Sequence, residues 1–305
     1  MPTPRRAKST TAARKPARKD SRQYELAEQS KLKASVAARR EAEVAHEETL
    51  VLPPKRWGDR LWNILAGLSL VPFVWIFTAA LFIAFMNVKA GAHHVPFWRS
   101  GEFQWFAIGA GAWLAITCVS LLVFQQPQPV RAYVFGHEMM HMLMAWTFRG
   151  KVKDFHIGSD GGYIVTDKYN FLIALAPYLW PSFAVPVLVA WGLTTMVKGP
   201  SFLQEPFLVA LGVTWMFHLT FTLWVLRRRQ SDFHGPGRLF SFALVYLANT
   251  ILLSGTLLVF APYVGWRAYG RALAASALGF YDGVGKAFAL SGEFVGWVWQ
   301  HTLGS

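Results

Sequence analysis

The amino-acid sequence predicts an α-helical polytopic membrane protein of about five to six spans that follows a basic tail. Overall composition decides little, because 53% of the 305 residues are hydrophobic and soluble domains come close to that share. The distribution is more informative. Uncharged apolar blocks long enough to cross a bilayer begin after residue 60, and turn-forming prolines and glycines separate them. The charges are concentrated before the first block.

Residues 1–56 form the first predicted domain, a basic cytoplasmic tail. They carry 14 Lys/Arg against 7 Asp/Glu, an excess of seven within a net charge of +13 for the chain. The Pro/Ala/Lys/Arg-rich start is expected to be disordered. The later part is rich in Glu, Ala, Lys and Arg, which favour a helix. Such a tail beside a membrane predicts contact with anionic lipids, and not with nucleic acid.

Residues 57–264 form the predicted membrane domain. Five full spans are expected: Leu61–Met86, Trp105–Phe124, Phe171–Met196, Phe207–Leu226 and Leu239–Val264. Three prolines in the third of these predict kinks. A further helix, Val130–Phe148, is expected to enter the membrane without crossing it fully. This keeps the basic loops on the cytoplasmic side together with the tail.

The segments outside the spans are shorter or more polar. Asn87–Gln104 is predicted to be a polar loop. Val152–Tyr169 alternates in polarity around Asp160-Gly161-Gly162, which predicts a short β-hairpin. Residues 265–305 are predicted to form an amphipathic C-terminal tail on the membrane surface.

The embedded helix carries His137-Glu138-Met139-Met140-His141, an H-E-x-x-H pattern. Residues four apart share one face of a helix, so His137 and His141 can offer two imidazoles to one metal ion. Glu138 can then act as general base on a metal-bound water. Histidine and glutamate are costly in lipid and usually mark function there. The pattern therefore predicts a Zn²⁺ site.

A hydrolytic zinc ion needs a third protein ligand and one open position. Asp232 is the first candidate, because it precedes the last span and a Gly-Pro-Gly turn lets the backbone approach closely. A helix cap, or a partner for the arginine run Arg227–Arg229, is the alternative role for this carboxylate. His234 and His218 are alternative ligands. His218 and Asn249, which lies in the middle of the last span, are also candidates for hydrogen bonding to a ligand or to the metal helix.

These features together resemble the site-2 protease family of intramembrane zinc metallopeptidases. The resemblance covers roughly residues 130–250: H-E-M-M-H in an apolar helix, a glycine-bearing hairpin, membrane spans, and D-x-x-G-x-G-R opening a later span. It implies that Asp232 is the third zinc ligand and that Glu138 activates the water. Met140 stands where many members of the family have glycine. The family's D-G dipeptide is D-F-H-G here, without the usual Asn-Pro before it.

The resemblance implies a protease of the plasma or inner membrane that hydrolyses peptide bonds of membrane-protein substrates. A non-proteolytic metal-binding membrane protein, acting in transport or as an adaptor or pseudoprotease, is the alternative. The intact Glu138 favours hydrolysis. A membrane zincin with a glutamate as third ligand is disfavoured. Only Glu205 and Glu293 follow His141, and Pro206 directly follows Glu205, where the ligand helix of such an enzyme would have to continue. The sequence leaves the substrate and the oligomeric state open.

Overall fold

The protein is an α-helical membrane protein. The computed structural model describes residues 57–86, 88–90, 93–158, 161–199, 202–227, 231–233, 237–261 and 264–303. The predictions for the tail 1–56 and for His234 lie outside the described residues. Four of the described helices are long and apolar enough to cross a membrane, or five if one bent pair counts as a single span. The lower figure of the predicted five to six spans is thus reached only with the bent pair.

The elements follow the predicted order closely. The helices are α1 Trp57–Met86, α2 Gly101–Phe124, α3 Val130–Thr147, α4 Phe171–Leu179, α5 Ala184–Lys198, α6 Gln204–Leu226, α7 Arg238–Phe260 and α8 Gly265–Val298. The strands are β1 Val88–Ala90, β2 His93–Val95, β3 Val152–Ile157 and β4 Gly162–Thr166.

The predicted polar loop between α1 and α2 contains more structure than expected. Strands β1 and β2 pair antiparallel there, and α2 begins at Gly101, four residues before the predicted span. The Ser100 side chain explains the earlier start, because it accepts a hydrogen bond from the backbone N–H of Phe103 and so caps the helix.

The pair α4 and α5 occupies the residues of the predicted kinked span. The two helices are bent by 64° at a break of a few residues. The Asn170 side chain caps the start of α4 by accepting from the N–H of Ile173 at 2.8 Å. Pro177 lies inside α4 and Pro181 follows its end. Because proline has no N–H and cannot continue the helical hydrogen-bond pattern, the break falls where the sequence predicts a kink.

Helices α2 and α6 cross at two glycines. A Cβ at Gly109 would meet the backbone oxygen of Val209, and a Cβ at Gly212 would meet the backbone oxygen of Phe106. Each helix therefore places a glycine against the main chain of the other. Small residues at such crossings let membrane helices pack by close backbone contact.

The hairpin β3–β4 lies against α3. The strands pair antiparallel, with Phe155 opposite Ile164 and Ile157 opposite Gly162. A Cβ on Gly162 would come within 2.6 Å of Val134 Cγ1 and 2.7 Å of Glu138 Cγ. The predicted hairpin is therefore present, and its second strand touches α3 beside the H-E-x-x-H pattern.

The C-terminal region contains one long helix, α8, of 34 residues. Its first turns pack with the ends of α1 and α7 in an apolar cluster that includes Ala84, Phe85, Leu257 and Tyr269. Farther along, apolar side chains such as Phe288 are exposed. A different cluster, formed by Leu175, Tyr178, Leu179, Val225, Phe233 and Val245, lies between α4, α6 and α7.

Candidate metal centre

The buried side of α3 presents the H-E-x-x-H residues to the protein interior. Its buried side chains are Val134, Glu138, His141 and Ala145, a spacing of four, three and four that marks one helical stripe. His137 stands one turn before His141 at the edge of this stripe. Helical spacing alone therefore brings both imidazoles and one carboxylate to the same region.

Asp232 completes a group of three side chains with metal-ligand atoms. Nε2 of His137 and Nε2 of His141 are 3.1 Å apart, and Oδ2 of Asp232 lies 3.7 Å from Nε2 of His137. One ligand atom from each of the three residues lies within 4.8 Å of the others. Asp232 comes from the short 3-10 helix Ser231–Phe233, far from α3 in sequence.

These spacings suit a tetrahedral ion. Zinc bonds to nitrogen and oxygen are about 2.0–2.2 Å long, so two ligands of one tetrahedral ion lie about 3.3–3.6 Å apart. The observed 3.1 and 3.7 Å bracket this range. The chemistry of the donors, two imidazole nitrogens and one carboxylate oxygen, is also the set that zinc accepts.

Hydrogen bonds orient both imidazoles. Nδ1 of His141 donates to the backbone oxygen of Ile173 at 2.8 Å. A carbonyl can only accept, so Nδ1 carries a proton, and in the neutral imidazole Nε2 is then the nitrogen with a lone pair for a metal. Nδ1 of His137 lies 3.0 Å from the hydroxyl of Tyr133, which is stacked on Phe221 with 4.5 Å between ring centroids. Such partners hold a ligating imidazole in one orientation.

Tyr178 contacts both Asp232 and the adjacent Phe233. Tyr178 donates its O–H to Oδ2 of Asp232 at 2.7 Å. The ring of the adjacent Phe233 packs on the Tyr178 ring at 4.9 Å, and Phe233 is buried. Outside the spans, burial and the negative charge of Asp232 raise the pKa of Tyr169 above its ordinary value.

Glu138 is buried next to the proposed ligands, with 7% of its surface exposed. Within the described ranges, no hydrogen bond or ion pair engages its carboxylate, and neither Glu138 nor Asp232 is paired with a lysine or arginine. The buried carboxylate of Glu138 and the partly buried one of Asp232, beside converging imidazole nitrogens, favour a bound cation, since uncompensated charge out of water is costly. The residues therefore fit a divalent metal.

His218 and Asn249 lie away from the ligand atoms. Nε2 of His218 donates to Oδ1 of Asn249 at 2.9 Å, so this histidine is committed to another partner. Nδ2 of Asn249 donates to the backbone oxygens of Tyr178 and Val245, each at 2.8 Å. Asn249 thus contacts the helix that carries Tyr178, and His218 contacts Asn249. The group of possible ligands among the described residues does not include His218.

Comparison of the chain with protein-family models, with curated proteins and with solved structures found no match. The centre is therefore interpreted from its own geometry.

Three further groups at the centre escaped sequence reasoning: Tyr133, Tyr178 and the carbonyl of Ile173. Tyr133 carried a signal, because it stands four residues before His137 and so shares its helical face. Pro177, four residues after Ile173, marks a carbonyl without its helical partner. Nothing local to Tyr178 indicates its contact with Asp232, which depends on how α4 packs beside the 3-10 helix.

Proposed function

We propose that the protein is a membrane-embedded zinc endopeptidase of the site-2 protease type that hydrolyses peptide bonds of membrane proteins. One observation carries the proposal: His137, His141 and Asp232 converge within 4.8 Å beside the buried Glu138. Two histidines four residues apart with an adjacent glutamate form the zincin pattern. The third donor, a carboxylate oxygen of Asp232, comes from the segment that precedes the last span.

His137, His141 and Asp232 would hold the ion. Zinc bound there would supply a Lewis acid that polarises the scissile carbonyl and makes water more acidic. Tyr133 orients His137, the carbonyl of Ile173 orients His141, and Tyr178 orients Asp232. The protein thus contributes three donors and a fixed arrangement around them.

Glu138 has the role of general base and then general acid. Water adds its oxygen to the carbonyl carbon while one proton passes to the Glu138 carboxylate, and the C–N bond breaks as that proton passes to the leaving amine. The products are one carboxylic acid and one amine, and Glu138 is a carboxylate again at the end. Its burial on the interior side of α3 keeps the carboxylate away from bulk solvent.

The test compares Glu138→Gln with His137→Ala and with Glu205→Gln as a matched control. Glu205 lies in the first turn of α6 and is not part of the centre. Glu138→Gln is expected to retain about one zinc per chain and to lose roughly 10²–10⁴-fold in rate, so that uncleaved membrane proteins co-purify with it. His137→Ala is expected to lose zinc, and Glu205→Gln to behave as wild type.

Mass spectrometry of the membrane proteome reports the outcome. Accumulation of the same membrane proteins with Glu138→Gln and His137→Ala supports hydrolysis. If Glu138→Gln leaves the proteome unchanged while His137→Ala alters it, the metal serves transport or structure and the peptidase proposal is wrong.

A further inference from the structure

The broken span α4–α5 touches the proposed metal ligands with two different groups. The carbonyl of Ile173 accepts from His141, and the hydroxyl of Tyr178 donates to Asp232. Both residues belong to α4, which has nine residues. One short helix therefore contacts a ligand from α3 and a ligand from the 3-10 helix Ser231–Phe233.

Pro177 explains why the carbonyl of Ile173 is available. In a regular α-helix, this oxygen would accept the N–H of the residue four positions later. That residue is Pro177, which has no N–H to donate. The freed oxygen instead accepts Nδ1–H of His141 at 2.8 Å. The same proline that disturbs the span thus frees the oxygen that accepts from Nδ1–H of His141, whose Nε2 lies 3.1 Å from Nε2 of His137.

The end of α4 places Tyr178. The helix ends at Leu179, so the carbonyl of Tyr178 lacks a following helical turn. The Nδ2 group of Asn249, from α7, donates to this oxygen at 2.8 Å. Oδ1 of Asn249 in turn accepts from His218 of α6 at 2.9 Å. The Nδ2 group also donates to the backbone oxygen of Val245 at 2.8 Å, so Asn249 has one orientation that satisfies all three contacts.

Burying the polar side chains of Asn249 and His218 in apolar helices costs free energy. Asn249 and His218 are both buried, at 8% and 7% exposure, within helices apolar enough to cross a membrane. Polar side chains in such helices are usually retained for function. Here His218 bonds to Asn249, and Asn249 bonds to the backbone oxygen of Tyr178. The hydroxyl of Tyr178 in turn donates to Asp232.

We propose that α4 is the positioning element of the metal centre: Pro177, through the carbonyl of Ile173, holds His141, and Tyr178, fixed by Asn249, holds Asp232. The inference rests on the proposed zinc site. It adds that the proline break in this span serves metal binding, and it assigns Pro177, Tyr178 and Asn249 as positioning residues that do not ligate the ion.

The first arm of the test is Tyr178→Phe, with Tyr246→Phe as control. Phenylalanine keeps the ring that packs on Phe233 and removes only the hydroxyl. Tyr246 is a half-exposed tyrosine of α7 whose hydroxyl accepts from Thr78 at 3.2 Å, away from the metal centre. Loss of a partner of a metal ligand typically weakens metal affinity about 10–100-fold. That loss is expected for Tyr178→Phe and not for the control.

The second arm is Pro177→Ala, with Pro186→Ala as control. Alanine restores an N–H that competes with His141 for the oxygen of Ile173, so a weakening of about 10–100-fold is expected here too. Pro186 lies in the first turn of α5, where a proline has no preceding helical turn to interrupt. Its replacement should leave the affinity unchanged.

Zinc affinity is measured by competition with a chelator on purified full-length protein, and the visible spectrum of the Co²⁺-substituted protein reports the ligand field. A purely structural role of α4 would lower the thermal midpoint without altering the Co²⁺ spectrum of the folded protein. The inference predicts a changed spectrum and weaker zinc binding for Tyr178→Phe, at an unchanged midpoint of the metal-free protein.

Wild-type affinity and spectrum in Tyr178→Phe would overturn the role of Tyr178. The same result in Pro177→Ala would overturn the role of Pro177. In both cases, zinc binding by the wild type would leave the proposed function standing. If the His137→Ala variant contains as much zinc as the wild type, both the inference and the proposed zinc site are wrong.

Discussion

Gly162 of β4 provides a direct test of the position of Glu138. An alanine Cβ there would lie 2.7 Å from Cγ of Glu138, 2.6 Å from Cγ1 of Val134 and 2.9 Å from the backbone oxygen of His156. Ordinary contact begins at 3.4 Å, so Glu138 or the strand must move by at least 3.4 − 2.7 = 0.7 Å. The strand cannot easily move away, because the oxygen of His156 belongs to its own hairpin partner.

The expected result for Gly162→Ala is a catalytic defect with zinc retained. Misplacement of a catalytic group by about 1 Å can cost about 100-fold in rate, so a loss of about 10–100-fold is expected from a shift of this size. Overpacking should also cost about 1–3 kcal/mol in the free energy of unfolding. Because the new methyl group faces Glu138 and not the three proposed ligands, the zinc content should stay at the wild-type level.

The assay measures cleavage of a membrane substrate trapped by Glu138→Gln, in liposomes, together with zinc content. Gly111→Ala is the control, since a Cβ at this glycine of α2 meets nothing within 4 Å and alanine favours a helix. A wild-type rate in folded Gly162→Ala would show that Glu138 does not need its present place against β4. Loss of zinc would show that the strain reaches the ligands instead.

Three other predictions concern the ligand, the topology and the packing. Asp232→Ala should lose most of its zinc, measured by metal analysis, and full retention would exclude Asp232 as the third ligand. A cysteine at Lys153 in a Cys118→Ser background should resist an impermeant thiol reagent in intact cells, because basic loops favour the cytoplasmic side; labelling from outside would contradict this orientation. Gly212→Ala should lower the thermal midpoint in detergent, as its Cβ would meet main-chain atoms of α2, whereas Gly111→Ala should leave it unchanged.

The elements with strong local patterns could be predicted from the sequence. Uncharged apolar runs predicted the four long apolar helices within a few residues, and the prolines of Phe171–Met196 located the bend of 64°. The i, i+4 spacing of His137 and His141 was sufficient to place both imidazoles together. Asp232 lies beside them, as the order of motifs and the family resemblance implied. That these residues bind zinc stays a prediction.

The remaining features depend on contacts between distant segments. Main-chain atoms have no sequence letter, so the role of the Ile173 carbonyl is visible only once α3 lies against α4. Tyr178 is similar, because its partner Asp232 is 54 residues away. Strands β1 and β2 were missed because each has only three residues, too few for an alternating pattern to emerge.

The glycine crossing of α2 and α6 fixes how these helices can move. Each backbone lies against the other with no side chain between them at Gly109 and Gly212. Sliding one helix by a turn, about 5.4 Å, would replace a glycine at the contact with a residue that has a Cβ, such as Trp113 or Met216. The pair therefore has a single sliding register and must turn or tilt as one rigid plate. Because α6 also carries Phe221, which stacks on Tyr133, any movement of this pair would reach the tyrosine whose hydroxyl lies 3.0 Å from Nδ1 of His137.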